Sequence, residues 1–182
     1  MSRFDQDSAH CTVLTFKEGL LSAIAHDLKI AVGRFEVEVD EDARTVEGRF
    51  DATSLRVVCA MRDGHESKGT LSADQKREIE SNIVRYVLAA EKYPEIRYVS
   101  RSVTDDGDGF RIAGQLSLHG RQHGVDVQVR KEPDRYVASA RLHQPDFGIR
   151  PYSAMLGALK VKADVEVRLD VAWPAKPLPI ER

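Results

Sequence analysis

Residues 161–173 read VKADVEVRLDVAW, and the alternation in this stretch restricts the available folds more than any other feature of the chain. Val161, Ala163, Val165, Val167, Leu169, Val171 and Trp173 fall on one side, and Lys162, Asp164, Glu166, Arg168 and Asp170 on the other. Successive side chains of a strand point to opposite faces, so the run is a β-strand with one apolar and one charged face. At about 3.4 Å per residue it spans roughly 40 Å, about twice the usual strand length, which suits a tilted or bent stave of a barrel.

The same period recurs along the chain. Phe110, Ile112, Leu116 and Leu118 share a face, as do Val125, Val127 and Val129, and then Tyr136, Ala138, Ala140 and Leu142. The turn signals DDGDG (105–109), HGRQHG (119–124) and KEPD (131–134) separate these runs, which reads as successive antiparallel strands. Leu28, Ile30 and Val32 lie on even positions but Phe35, Val37 and Val39 on odd ones. The phase therefore slips at Gly33-Arg34, as a β-bulge or sharp bend makes it do. Strands are expected at 11–18, 28–39, 45–59, 95–104, 109–119, 123–131, 135–143 and 158–173. One helix is expected at 72–90: Ser72 and Gln75 have capping-box spacing, Ile79, Ile83, Val84, Val87 and Leu88 recur at helical intervals, and Pro94 follows. A break near Ser81-Asn82 would divide it in two.

The pattern predicts an all-β chain with a minor helix, and both a two-sheet sandwich and an up-and-down barrel satisfy it. An eight-stranded barrel is either packed solid or just wide enough for one small ligand. Gly48, Ala113, Gly114, Ala138, Ala140 and Ala163 interrupt the bulky inward positions and leave room, although barrels also alternate small and large residues to fit their taper.

With 182 residues the chain fits one domain, read as 1–172, followed by a proline-rich tail at 173–182. A net charge of −2 gives no basis for a nucleic-acid partner. MSRFDQDSAHC lacks the apolar core of a secretory signal, and no apolar run reaches the ~20 residues of a membrane span, so a cytoplasmic protein is expected. Cys11 and Cys59 are too few for a disulfide framework and fit small buried hydrophobes. No G-x-S-x-G, P-loop or dinucleotide fingerprint occurs, so the reading assigns no enzyme activity and no cofactor.

Several residues invite chemistry. His26-Asp27 suggests a base with its carboxylate, but strand neighbours point to opposite faces. His119 and His123 bracket a turn and could share a metal, yet zinc wants three or four ligands and the sequence offers no obvious third. Tyr98, Ser100 and Ser102 share a face with Ile96, so hydroxyls enter the interior if Ile96 points inward; if Val99 and Val103 do so instead, the hydroxyls face solvent. Ile83, Val87 and Leu88 form the core-facing stripe of the helix, or a cover over an apolar ligand.

Four segments, in order, resemble the YceI-like family of lipid-binding β-barrels: AHDLKIAVGRF (25–35), EKYPEIRYVSRSV (91–103), GQLSLHGRQHGVDVQV (114–129), and Phe147-Gly148-Ile149 followed by GALKVKADVEVRLDV. The resemblance covers roughly residues 11–172. It implies an antiparallel, eight-stranded, lipocalin-like β-barrel with the 72–90 helix near its mouth. It further implies non-covalent binding of a polyisoprenoid, fatty acid or fatty-acid derivative, for sequestration or transport. The ligand contacts so expected are His26, Leu28, Phe35, Phe50, Ile83, Val87, Tyr98, Phe110, Leu116, Leu118, Phe147 and Arg150. Many members carry a secretion signal, which is not seen here, and the loop AMRDGHESKGTL before the helix is long and polar. Two other readings compete: a packed interaction module whose partner reads the helix and the 60–71 loop, and a small enzyme using His26 or His119. A homodimer is compatible with the sequence, which does not specify one.

Overall fold

The computed structural model describes residues 1–18, 26–154 and 159–172. In chain order its strands are β1 (Ser2–Asp5), β2 (Ala9–Glu18), β3 (Asp27–Val32), β4 (Phe35–Asp40), β5 (Thr45–Asp51), β6 (Leu55–Arg62), β7 (His65–Ser67), β8 (Glu95–Asp106), β9 (Gly109–Leu118), β10 (Arg121–Lys131), β11 (Arg135–His143), β12 (Ser153–Ala154) and β13 (Leu159–Ala172). The α-helix α1 (Ala73–Asn82) lies between β7 and β8. The expected tail, 173–182 with Trp173, lies outside the described residues.

Among the described residues every strand pair is antiparallel, and one sheet runs in the order β1-β4-β5-β8-β9-β10-β11-β13-β2-β3-β6-β7, with β12 beside β13. This twelve-strand sheet curls into a half-barrel. The eight expected strand regions are all present. Two of them are divided, and the short edge pieces β1, β7 and β12 are additional.

The divisions share one physical cause. Gly33 ends β3, its N–H donates to the Ser54 carbonyl at 3.0 Å, and a Cβ on Gly33 would sit 2.8 Å from that oxygen. Only glycine permits this approach. The Arg34 N–H donates to the Ser54 hydroxyl at 2.9 Å, and the Arg34 carbonyl accepts from the Asp51 N–H at 3.0 Å. Both strands of the pair therefore turn the same corner together, β3 into β4 and β5 into β6, without stranding backbone polar groups. The slip read at Gly33-Arg34 is this bend.

Two apolar clusters follow from the alternation. One gathers Phe4, Ala9, Cys11, Val32, Phe35, Val37 and Val171 at the end of the sheet where β2 begins and β13 finishes. The other runs along β8, β9 and β10, from Tyr98, Ile112 and Leu116 to Phe147 and Ile149. Cys11 and Cys59 are free and buried, and burial pushes the Cys11 thiol up to about 12.

Candidate functional site

The concave face surrounds a cavity of about 570 Å³, within the ~300–1,000 Å³ typical of small-molecule sites. Its wall is the inward half of the alternation. Even positions of β3, β5, β9 and β11 reach it, such as Leu28, Ile30, Phe50, Leu116 and Leu142, and odd positions of β10 and β13, such as Val125, Val127, Val165 and Val167.

Tyr98 settles which face of β8 turns inward. Its ring is 8% exposed and lines the cavity, whereas Val99 is exposed. The Tyr98 hydroxyl is shared between the Ile112 and Val125 carbonyls, at 3.3 and 3.2 Å. Burial, and secondarily the Asp126 carboxylate, push its phenol up to about 12. The inward phase does not persist. The β8–β9 register shifts between Ser100 and Ser102, so Ser102 is exposed while Val103 packs on the core. Ser100 accepts the Val46 N–H at 2.8 Å through its hydroxyl.

The small residues open less space than the sequence suggests. A Cβ on Gly114 would lie 2.3 Å from the Tyr98 ring, and one on Gly48 would lie 2.9 Å from the Phe50 ring. Aromatic rings occupy the room these glycines leave. Ala138 and Ala140 do face the cavity.

Polarity rises toward one end. Along β2 the lining positions are Cys11, Val13, Thr15 and Lys17, and His26 precedes Leu28, Ile30 and Val32 of β3. The pairs Val13–Ile30 and Thr15–Leu28 carry the register toward Lys17 opposite His26, and Val161 of β13 pairs with Lys17 from the other side. Lys160 lines the same mouth. Asp27 turns away from His26: its carboxylate accepts the Lys17 backbone N–H at 2.7 Å.

The helix faces this mouth. The Ser72 hydroxyl accepts the Gln75 N–H and the Gln75 side chain accepts the Ser72 N–H, the expected capping box. Helix α1 ends at Asn82 and passes into a π-helical turn, Ile83–Val87, at the break read near Ser81-Asn82. No residue of α1 is fully buried, yet Gln75, Glu78, Ile79 and Asn82 line the cavity, followed by Ile83, Val87 and Leu88. Polar contacts hold the helix to the uncovered edge of β6. Glu80 accepts the Val57 N–H and the Lys76 ammonium donates to the Val58 carbonyl, both at 2.7 Å.

Of the residues expected to touch ligand, His26, Leu28, Phe50, Ile83, Val87, Tyr98, Leu116, Leu118 and Phe147 line the cavity. Phe35, Phe110 and Arg150 do not. Phe35 follows the Gly33 bend, which turns its ring into the packed end, stacked 6.0 Å from Phe50. Phe110 begins β9 at that same end, 6.0 Å from Tyr136. Arg150 is exposed beyond the turn that follows Phe147. The sequence reading missed Lys17, Lys160, Gln75, Glu78 and Asn82. The phase of Cys11, Val13 and Thr15, carried one step further, is the signal for Lys17.

His119 and His123 serve Phe147, which is 1% exposed. The His119 ring nitrogen Nδ1 is 3.2 Å from the Phe147 carbonyl, and the ring packs 4.8 Å from Tyr93. His123 meets the Phe147 ring edge-on and lies 3.4 Å from the Asp146 carboxylate. No group of three metal-ligating side chains occurs among the described residues. No helix among them is long and apolar enough to cross a membrane.

These features define a class: an antiparallel sheet curled about one apolar cavity, with a short helix facing its polar mouth. The chain belongs to the YceI-like family, whose domain profile matches residues 4–173. Its fold is similar to that of BcnA from Burkholderia cenocepacia, at 12% identity and TM-score 0.58, covering 90% of this chain and 94% of that one. A polyisoprenoid binding domain from Saccharophagus degradans, implicated in plant cell wall breakdown, aligns at 12% identity and TM-score 0.52, over 92% and 97% of the two chains. The YCEI protein of Campylobacter jejuni aligns at 13% identity and TM-score 0.51, over 81% and 85%. No curated protein matches the sequence significantly.

Proposed function

We propose that the sheet closes as an eight-stranded, lipocalin-like barrel and holds a long-chain apolar molecule non-covalently, for sequestration or transport. Counting β3 with β4 and β5 with β6 as single bent staves, the pairings run β2, β3/β4, β5/β6, β8, β9, β10, β11, β13 and back to β2, which supports the closure. The observation that carries the binding reading is the cavity of about 570 Å³, walled by inward aliphatic and aromatic side chains. A packed interaction module would have filled this space. The Saccharophagus relative, a polyisoprenoid binding domain, supports an isoprenoid as one class of guest, and a fatty acyl chain is a second that the apolar wall would take by the same burial.

Burial drives the binding, at roughly 0.8 kcal/mol per CH₂ removed from water. The reading assigns no catalytic step: the Asp27 carboxylate is taken up by the Lys17 backbone and does not orient His26. Native mass spectrometry of protein extracted from a lipid-rich host is expected to show one apolar guest per chain. A displacement assay with alcohols of increasing length should then show affinity rising with each methylene until the cavity is full. Protein that is repeatedly empty and indifferent to every chain length would overturn the carrier reading.

A further inference from the structure

We infer that Tyr136 and Phe110 form the floor of the cavity and fix the longest chain that the barrel accepts. This inference rests on the carrier reading and adds to it the residues that select a guest by length. Three observations lead to it. The first is where the lining stops. On β13 and β2 the inward residues Val165, Val167 and Leu169, and Cys11 and Val13, reach the cavity, and the next ones toward the closed end, Val171 and Ala9, do not. On β11 Leu142, Ala140 and Ala138 reach it and Tyr136 does not. Tyr136 pairs with Val171, and Val171 with Ala9, so the lining ends on one rung across three adjacent strands. On β9 and β10 the last lining residues, Ile112 and Val127, are partners, and the next rung, Phe110 with Val129, again lies outside the cavity.

The second is side-chain size. Toward the closed end β11 presents Leu142, Ala140, Ala138 and Tyr136 in turn, so two alanines leave the bore open and a ring follows one step further on. Gly48 and Gly114 make no such space, since the Phe50 and Tyr98 rings cover them. The third is that the two rungs meet. The Phe110 and Tyr136 rings lie 6.0 Å apart, tilted by 36°, within the range of attractive aromatic pairs. Ala9, Val129 and Val171 beside them are buried, so packed side chains back the floor. A chain entering at the mouth gains contact with each methylene until its end meets these rings. A longer one leaves its excess in water.

The test measures displacement of a fluorescent apolar probe from the full chain by primary alcohols from octanol to docosanol. Affinity should rise about fourfold with each methylene, the gain from burying it, and then level off at a definite length. Tyr136→Ala should carry the rise on for about two to four further methylenes, because truncation leaves much of the ring's volume empty. Alcohols short of the natural plateau should bind as before, which also shows that the barrel is intact. Phe110→Leu is a milder truncation that serves even where Tyr136→Ala does not fold, and it should extend the rise by about one or two methylenes. Ala138→Leu acts in the opposite sense: it fills the bore beside the floor and should bring the plateau forward by about two methylenes. A plateau at the same length in all variants, or a rise without a plateau in the natural chain, overturns the floor inference and leaves the carrier reading standing. Failure of every alcohol to bind overturns both.

Discussion

Phe4, Phe35 and Val37 close one end of the sheet with side chains almost wholly removed from water, whereas at the other end Lys17, His26 and Lys160 stand around an opening. The same alternation builds both ends. They differ in what lies across them. At the closed end β1 pairs with β4 and brings Phe4 over the interior, and the Gly33 corner folds Phe35 and Val37 in beside it. At the mouth, a helix with no fully buried residue faces the opening and touches β6 through Glu80 and Lys76. One end is ordinary core, and the other keeps apolar surface unfilled by the protein's own atoms.

Truncations at the two ends should expose this difference most strongly. Phe4 is 4% exposed within a complete cluster, so Phe4→Ala is expected to cost about 3–5 kcal/mol in chemical denaturation, as buried aromatic truncations do. Leu28 already faces empty volume. Leu28→Ala adds to an existing cavity and is expected to cost about 1 kcal/mol, near the loss of partial burial alone, while weakening apolar probe binding measurably. Equal costs at both positions would mean that the mouth is packed as tightly as the base.

Between the two ends, the wall depends on Gly114 making room for Tyr98. Gly114→Val drives a side chain into that ring and should destabilise by about 1–3 kcal/mol, the usual cost of overpacking. Shortening the ring in Gly114→Val, Tyr98→Leu should recover part of it, and a double-mutant cycle reads the coupling. Tyr98 also gives the wall an alkaline limit. Its phenol, raised to about 12 by burial and Asp126, holds its proton more tightly in the folded state than in the unfolded chain. The stability it contributes is therefore complete below its ordinary value near 10 and is lost as pH rises toward about 12. Denaturation midpoints between pH 9 and 12 should fall more steeply for the natural chain than for Tyr98→Phe. Parallel curves would show that the hydroxyl is not sequestered.

The closed end and the staves were largely legible in the sequence, because burial of one face imposes period two on every long strand. The corner at Gly33 announced itself as a phase slip, and the helix through Ser72 and Gln75. What escaped shares a different character. The bulge between Ser100 and Ser102 leaves no residue signature, so the inward phase of β8 could not be carried past it. Gly48 and Gly114 read as openings because a sequence does not say whose ring comes to rest on a glycine. Phe35 packs against Phe50 and Phe110 against Tyr136, away from the cavity lining, since alternation fixes the side of a sheet and says nothing of which end is plugged. The mouth was the least legible part: Lys17 looks like an ordinary surface lysine until strand register sets it opposite Val161 on the cavity wall.

The smallest expected effect concerns how the helix is held. An uncovered strand edge presents unpaired backbone groups, and here side chains of α1 satisfy two of them on β6. Glu80→Ala removes the acceptor of the Val57 N–H and should cost about 1 kcal/mol, the net worth of one such bond. Glu80→Gln keeps an acceptor oxygen and should recover most of it. Global stability is the poorer readout, because α1 buries little and could detach while the sheet stays folded. Hydrogen exchange is sharper: the Val57 amide should exchange faster in Glu80→Ala, while amides of the β4–β5 ladder at the closed end keep their protection. If both regions lose protection together, helix and sheet unfold as one unit. If only the mouth responds, the two ends are energetically separate, and a guest can enter past α1 without loosening the base.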